Sequence, residues 1–210
     1  IVENDRIRFS LWQKAQACEE ITLLAPCSIK SLHLQGTTNV IQLENDQLIN
    51  ARLVVGADGA QSKVRQHAGF PHTFWDYGQQ AIVATVKTEI PHHEAARQVF
   101  TSTGPLAFLP LWDEHLCSIV WSQDTATAKS LMALSEEEFN RALSAAFDMQ
   151  LGICSLQSQR ASFPLRMQCA RQWVDEGVVI IGDAAHTIHP LAGQGANPVS
   201  YTHLTLPTNA

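Results

Sequence analysis

Hydrophobic positions along the chain follow two rhythms. Ser28 to Leu34 and Val40 to Leu43 alternate apolar with polar residues, as hairpin strands with one wet face do. Gly36-Thr37-Thr38-Asn39 reads as the turn between them, and Asn45-Asp46 as the next turn. Alternation also predicts strands at Ala81 to Thr88, at Leu116 to Trp121 and from Gln157 to Phe163. A shorter strand falls at Phe108 to Leu111, with Pro110 expected at a sheet edge. By contrast, Leu53-Val54-Val55 and Val178-Val179-Ile180-Ile181 are uniformly apolar, like strands of a parallel sheet covered on both faces. Ile21 to Leu24 predicts a short buried strand after a helix that ends over Leu11 to Glu20. The clearest helix runs from Ser135 to Phe147. Ser135 and Glu138 form a capping box, and Leu134, Phe139, Leu143, Ala146 and Phe147 make its apolar face.

A parallel α/β domain interrupted by an antiparallel insert accounts for both rhythms, and no internal repeat is present. The 210 residues are 45% apolar and 16% charged, which is globular composition. A net charge of −6 argues against a general nucleic-acid binder, which needs a basic face. No apolar run approaches the ~20 residues of a membrane-spanning helix. The five cysteines contain no C-x-x-C pair, so they read as reduced, mostly buried thiols of a cytosolic protein.

Two segments carry chemistry. In the first, Leu53-Val54-Val55 runs into Gly56-Ala57-Asp58-Gly59, and a helix starts near Ser62. Glycine lets backbone approach a ligand closely, and the helix start offers N–H groups to an anion. Asp58 can accept hydrogen bonds from backbone or sugar, and Arg65 can pair with a phosphate. Taken alone, this order is equally an ordinary turn. The second runs Val178 to Ile181, Gly182-Asp183-Ala184-Ala185-His186, then a glycine-rich loop from Pro190 to Asn197. An acidic residue at the carboxyl end of a parallel strand suits a ribose hydroxyl. His186 and His189 lack a third ligand at sensible spacing, so they read as packing histidines and no metal is expected.

The pair G-A-D-G-x-x-S-x-x-R and G-D-A-A-H-x-x-x-P-x-x-G-x-G-x-N resembles the two internal FAD motifs of the flavoprotein aromatic hydroxylases, the para-hydroxybenzoate hydroxylase class. Within it, the chain is similar to the ubiquinone-biosynthesis hydroxylases of proteobacteria. Segments such as Leu11 to Ala15, Thr73 to Tyr77, Ala96 to Phe100 and Cys117 to Ser122 look most like the 2-octaprenylphenol hydroxylase branch. The similarity covers Ile1 to Asn197. It implies a split, Rossmann-like FAD-binding domain with an inserted, mainly antiparallel β-sheet substrate domain. The expected division is 1–69 and 172–197 for the FAD-binding part and 70–171 for the substrate part.

The resemblance assigns Asp58, Gly59 and Arg65 to the motif serving the FAD pyrophosphate and reduced nicotinamide. It assigns Gly182 and Asp183 to the FAD ribose, and Pro190, Gly193, Gly195 and Asn197 to the flavin. The family's opening G-x-G-x-x-G has no counterpart and is expected upstream of Ile1. The implied chemistry uses NADPH and O2 to hydroxylate a prenylated phenol, with no catalytic side chain identifiable. Phe74, Trp75, Phe108 and Leu109 are candidates for an apolar wall along the prenyl tail. The implied setting is cytoplasmic, peripheral to the inner membrane, with a ubiquinone-biosynthesis complex as partner. A flavin monooxygenase acting on a soluble aromatic and a non-catalytic fragment are the alternatives.

Residues 199–208 coincide with the translation of a transposon-based sequencing adapter, GTC TCT TAT ACA CAT CTG ACG CTG CCG ACG. The two bases before it complete a proline codon, matching Pro198. The expectation is a native sequence stopping at Asn197, with 198–210 outside any domain.

Overall fold

The computed structural model describes residues 4–35 and 38–187. The predicted tail, the glycine-rich loop and part of the Gly36–Asn39 turn lie outside the described residues.

Along the chain come α1 (Asn4–Gln16), β1 (Ile29–His33), β2 (Asn39–Leu43), β3 (Leu48–Ala51), β4 (Val54–Gly56) and α2 (Lys63–His67). Then follow β5 (His72–Thr88), β6 (Arg97–Thr101), β7 (Gly104–Pro110), β8 (Leu116–Asp124), α3 (Thr125–Ala133) and α4 (Glu136–Ala146). The chain closes with β9 (Cys154–Leu156), β10 (Ala161–Ala170), β11 (Val174–Asp175), β12 (Val178–Ile180), a single 3-10 turn at Gly182–Ala184 and β13 (His186–Thr187). Two compact units result. One holds Asp76–Leu165 with the N-terminal segment through Ile21, and the other holds Thr22–Trp75 with the segment from Arg166 onward.

The first unit is an antiparallel sheet with two helices on one face. Its strand order is β10-β5-β8-β7-β6, with β9 also on β5. One face presents Ile82, Val86, Leu106, Phe108, Ile119 and Trp121 to Phe139, Leu143 and Phe147. Phe108 and Phe147 stack with centroids 4.0 Å apart. The predicted capping box starts α4, with Ser135 accepting from the Glu138 amide and Glu138 accepting from the Ser135 amide. The Arg160 guanidinium lies 4.7 Å over Phe139 and donates to the Leu131 and Leu134 carbonyls, closing the end of α3.

The second unit carries the parallel element. In it β12 pairs in parallel with β4, Val178 opposite Val54 and Ile180 opposite Gly56, and β11 lies antiparallel on the far side of β12. A meander of β1, β2 and β3 forms a separate small sheet, and β13 adds to β10. The core joins Leu32, Val54, Val64, Phe70, Val178, Ile180 and Ala184. Asn39, fully buried, donates to the Gly177 carbonyl at 2.9 Å and so ties β2 to the turn that feeds β12.

Several sequence expectations are corrected. Ile21 to Leu24 forms no strand, and Ile21 and Leu24 are exposed. The Ile21 amide closes a turn on Cys18, and no described strand offers this run a ladder. The predicted strand from Gln157 to Phe163 is instead two strands, β9 and β10, separated by Gln157 to Arg160. The helix expected as far as Glu20 stops at Gln16. Pro110 ends an interior strand, not an edge one. Pairing of β6 with β7 stops at Phe108, and the next amide on the β8 side is that of Leu111, so the missing N–H of Pro110 faces no strand. Val55 is 48% exposed, because among the described strands β4 pairs only with β12 and buries alternate residues. Only Cys117 and Cys154 are buried thiols, while Cys27 and Cys169 are exposed and Cys18 is half-buried.

Candidate functional site: two loops at the carboxyl ends of parallel strands

Parallel pairing of β4 with β12 brings the two motifs together. Gly56 and Ile180 are opposite one another, and the Ile181 amide donates to the Gly56 carbonyl at 2.9 Å. Ala57-Asp58-Gly59 and Gly182-Asp183 therefore leave side by side from the carboxyl ends of adjacent parallel strands. Open α/β sheets bind ligands at such ends. Gly56 is required by close approach, since a Cβ there would lie 2.8 Å from the Val64 Cβ.

Asp58 is exposed, but one of its carboxylate oxygens is taken by the chain's own backbone. Its Oδ2 accepts from the amides of Lys63 at 2.7 Å and Val64 at 3.2 Å. Ser62 accepts from the Arg65 amide at 3.0 Å. The start of α2, expected to offer free amides to an anion, is thus occupied by the chain's own carboxylate and hydroxyl. This corrects the expectation of free helix amides, while Asp58 accepts from backbone, one of the two partners its sequence allowed. Short polar side chains at the head of a helix satisfy its orphan N–H groups before any ligand does.

Arg65, by contrast, is turned inward. It is 3% exposed, and its guanidinium donates from Nη1 to the Ala184 carbonyl at 2.7 Å and from Nη2 to the Ala60 carbonyl at 2.8 Å. Burial lowers its pKa, with Asp58 acting in the opposite sense. Gln168 donates to the same Ala60 carbonyl at 3.0 Å. On the other loop, the Ala170 amide donates to the Ala185 carbonyl at 2.7 Å, and Trp173 lies 5.4 Å from the His186 ring. Ala60 and Ala184 are residues that sequence reasoning passed over, because their carbonyls carry no side-chain signal.

Gly59 and Asp183 are the positions left open. Gly59 has φ +81°, and nothing lies within 4 Å of where its Cβ would be. Gly182 is buried in the 3-10 turn, while Asp183 is exposed beside it. An exposed carboxylate and an uncovered glycine backbone, at the carboxyl ends of parallel strands, suit the sugar and phosphate parts of a nucleotide. Pro190, Gly193, Gly195, Asn197 and His189 lie outside the described residues. Among the described residues, no group of three or more His, Cys, Asp or Glu is placed to hold a metal ion.

Residues 31–200 match the model of the FAD binding domain family. The chain belongs to the FAD-binding domain family. It is 39% identical over 197 residues to the 3-demethoxyubiquinol 3-hydroxylase of Escherichia coli, covering 94% of this chain and 50% of that protein. It is 38% identical over 197 residues to the ubiquinone hydroxylase UbiL of Rhodospirillum rubrum, covering 94% of this chain and 46% of that one. The chain therefore spans about half the length of these curated relatives. Among solved structures, the flavin-dependent halogenase CmlS matches with a TM-score of 0.78 at 16% identity, over 95% of this chain and 38% of that one. That likeness establishes the fold: a Rossmann-like FAD-binding region carrying an inserted antiparallel sheet. The relatives are ubiquinone hydroxylases of more than one kind, so they establish this kinship and no particular member.

The four apolar-wall candidates separate. Phe108 is 1% exposed and belongs to the sheet–helix core, so it lines no surface. Phe74 and Trp75 are 52% and 60% exposed, and Arg166 stands 5.5 Å over the Phe74 ring. Leu109 is half-buried. No described helix is long and apolar enough to cross a membrane.

Proposed function

We propose that this chain is the FAD- and substrate-binding part of an NADPH-using monooxygenase that hydroxylates a polyprenylated phenol in ubiquinone biosynthesis. The observation that carries the reading is the juxtaposition of Gly59 and exposed Asp183 at the carboxyl ends of β4 and β12. The names of the related hydroxylases supply the substrate class. In this reading, residues 1–69 and 172–197 serve the cofactor and 70–171 the substrate. Its setting is cytoplasmic and peripheral to the inner membrane, within a ubiquinone-biosynthesis complex.

The flavin, when bound, supplies hydride acceptance from NADPH and oxygen activation. The chain's own residues bind and orient. Asp183 accepts hydrogen bonds from a ribose hydroxyl, and the backbone at Gly59 admits the pyrophosphate without a Cβ in the way. Pro190, Gly193, Gly195 and Asn197 are assigned to the flavin ring in the same proposal. Phe74 and Trp75 offer apolar surface to a prenyl tail and exclude water along it.

The test has two parts. Flavin titration of the complete protein reads cofactor binding directly. Product analysis by mass spectrometry, on the protein encoded by the complete reading frame, reads the reaction. Hydroxylation of a prenylated phenol with NADPH and O2, and none of para-hydroxybenzoate, is the expected result. Turnover of the short acid alone would replace this reading with a hydroxylase of soluble aromatics.

A further inference from the structure

Arg65 is the one residue whose side chain bonds to both motif loops among the described contacts. One arm of its guanidinium holds Ala60, one residue past Gly59, and the other holds Ala184, one residue past Asp183. Both terminal nitrogens are directed at carbonyls, and the side chain is almost fully buried. A phosphate ligand needs donors that reach the ligand, and at 3% exposure this guanidinium presents almost none of its surface outward.

The arrangement is also costly for stability alone. The buried Nε has no hydrogen-bond partner. Burial of a guanidinium penalises its charge, and a buried apolar side chain would avoid both costs. A planar fork, however, can hold two carbonyls in fixed relation, which neither an apolar side chain nor the point charge of lysine does.

We propose that Arg65 is a positioning residue that couples the two loops and sets where the Asp183 carboxylate lies, and that it is not itself a phosphate ligand. This rests on the reading of the site as an FAD site only for its consequence on affinity. The coupling itself is a property of the chain.

The experiment compares the chain as it stands with Arg65→Lys, Arg65→Met, Asp183→Asn and the double variant Arg65→Met/Asp183→Asn. Hydrogen exchange is read at 57–62 and 182–187, with β5 and β8 as the internal reference, and FAD is titrated by flavin fluorescence at two salt concentrations into the same variants of the protein encoded by the complete reading frame. Both Arg65 variants should exchange at least tenfold faster in both loops with β5 and β8 unchanged. Each should bind FAD about tenfold more weakly, with the salt dependence of the original chain. Asp183→Asn should weaken FAD binding in the original chain but add little to Arg65→Met. Unchanged exchange at 182–187 in Arg65→Lys and Arg65→Met would overturn the coupling. Full rescue by Arg65→Lys, additive losses in the double variant, or a reduced salt dependence would make Arg65 a direct anion ligand and overturn the proposal equally. If the protein encoded by the complete reading frame takes up no FAD, the cofactor reading fails while the exchange data still decide the coupling.

Discussion

The amide of Ile181 donates to the carbonyl of Gly56 at 2.9 Å. That single bond joins segments 125 positions apart in sequence and places Asp183 beside Gly59.

Asp183 stands exposed with its carboxylate at the strand ends, so its replacement should affect ligand more than fold. Asp183→Ala is expected to weaken FAD binding about ten- to a hundredfold, from the loss of a charge-assisted hydrogen bond of ~1.5–3 kcal/mol. Its melting temperature should match that of the original chain. Flavin titration beside a thermal melt separates the two, and unchanged affinity removes Asp183 from the site.

Phe108→Ala should cost ~3–5 kcal/mol, because the ring is fully buried and stacked on Phe147. Trp75→Ala should cost under ~1 kcal/mol, since most of the indole is in solvent. Urea unfolding of both variants checks the contrast. Equal losses would show that Trp75 is packed in solution.

Cys117 has its pKa pushed up to about 11, chiefly by burial, and next by the neighbouring Cys154. The buried thiol resists ionisation more than the unfolded one, so stability is unaffected below the ordinary thiol value near 9. It falls as pH rises from there towards 11. Cys117→Ala should flatten that alkaline loss in melts recorded between pH 8 and pH 11. In iodoacetamide labelling at pH 8, Cys27 and Cys169 should react and Cys117 and Cys154 should stay protected.

Ser135→Ala should destabilise the first unit by about 1 kcal/mol, through loss of the hydroxyl that caps α4. Ser135→Asp should restore most of it, because a carboxylate accepts the same amide. Thermal melts of the two variants decide whether the box acts as a cap.

Local chemistry was legible from the sequence alone wherever neighbours along the chain settle the outcome. Ser135 and Glu138 are three apart and cap one another whatever surrounds them. Ser62 heads α2 as its position ahead of Lys63 predicts, and Val178 to Ile180 are buried as their apolar run predicts, whereas Leu53 and Val55 of the matching run are exposed. The order of strand, glycine and aspartate marked both motifs, and the alternation at Ala81 to Thr88 marked the centre of the sheet. Strand β6 and helix α3 were not legible. Arg97 to Thr101 is polar at two of its first four positions, and Thr125 and Thr127 lower the helix signal. What tertiary structure alone decided is which partner each group found. Arg65 looks in sequence like a ligand for phosphate and the head of α2 like an anion site, yet the carbonyls of Ala60 and Ala184 and the Asp58 carboxylate satisfy them first. Ile21 to Leu24 looks like a buried strand, yet no described neighbour supplies its ladder. A one-dimensional pattern records what a side chain can bond or bury, whereas the fold sets the distances at which competing partners are met.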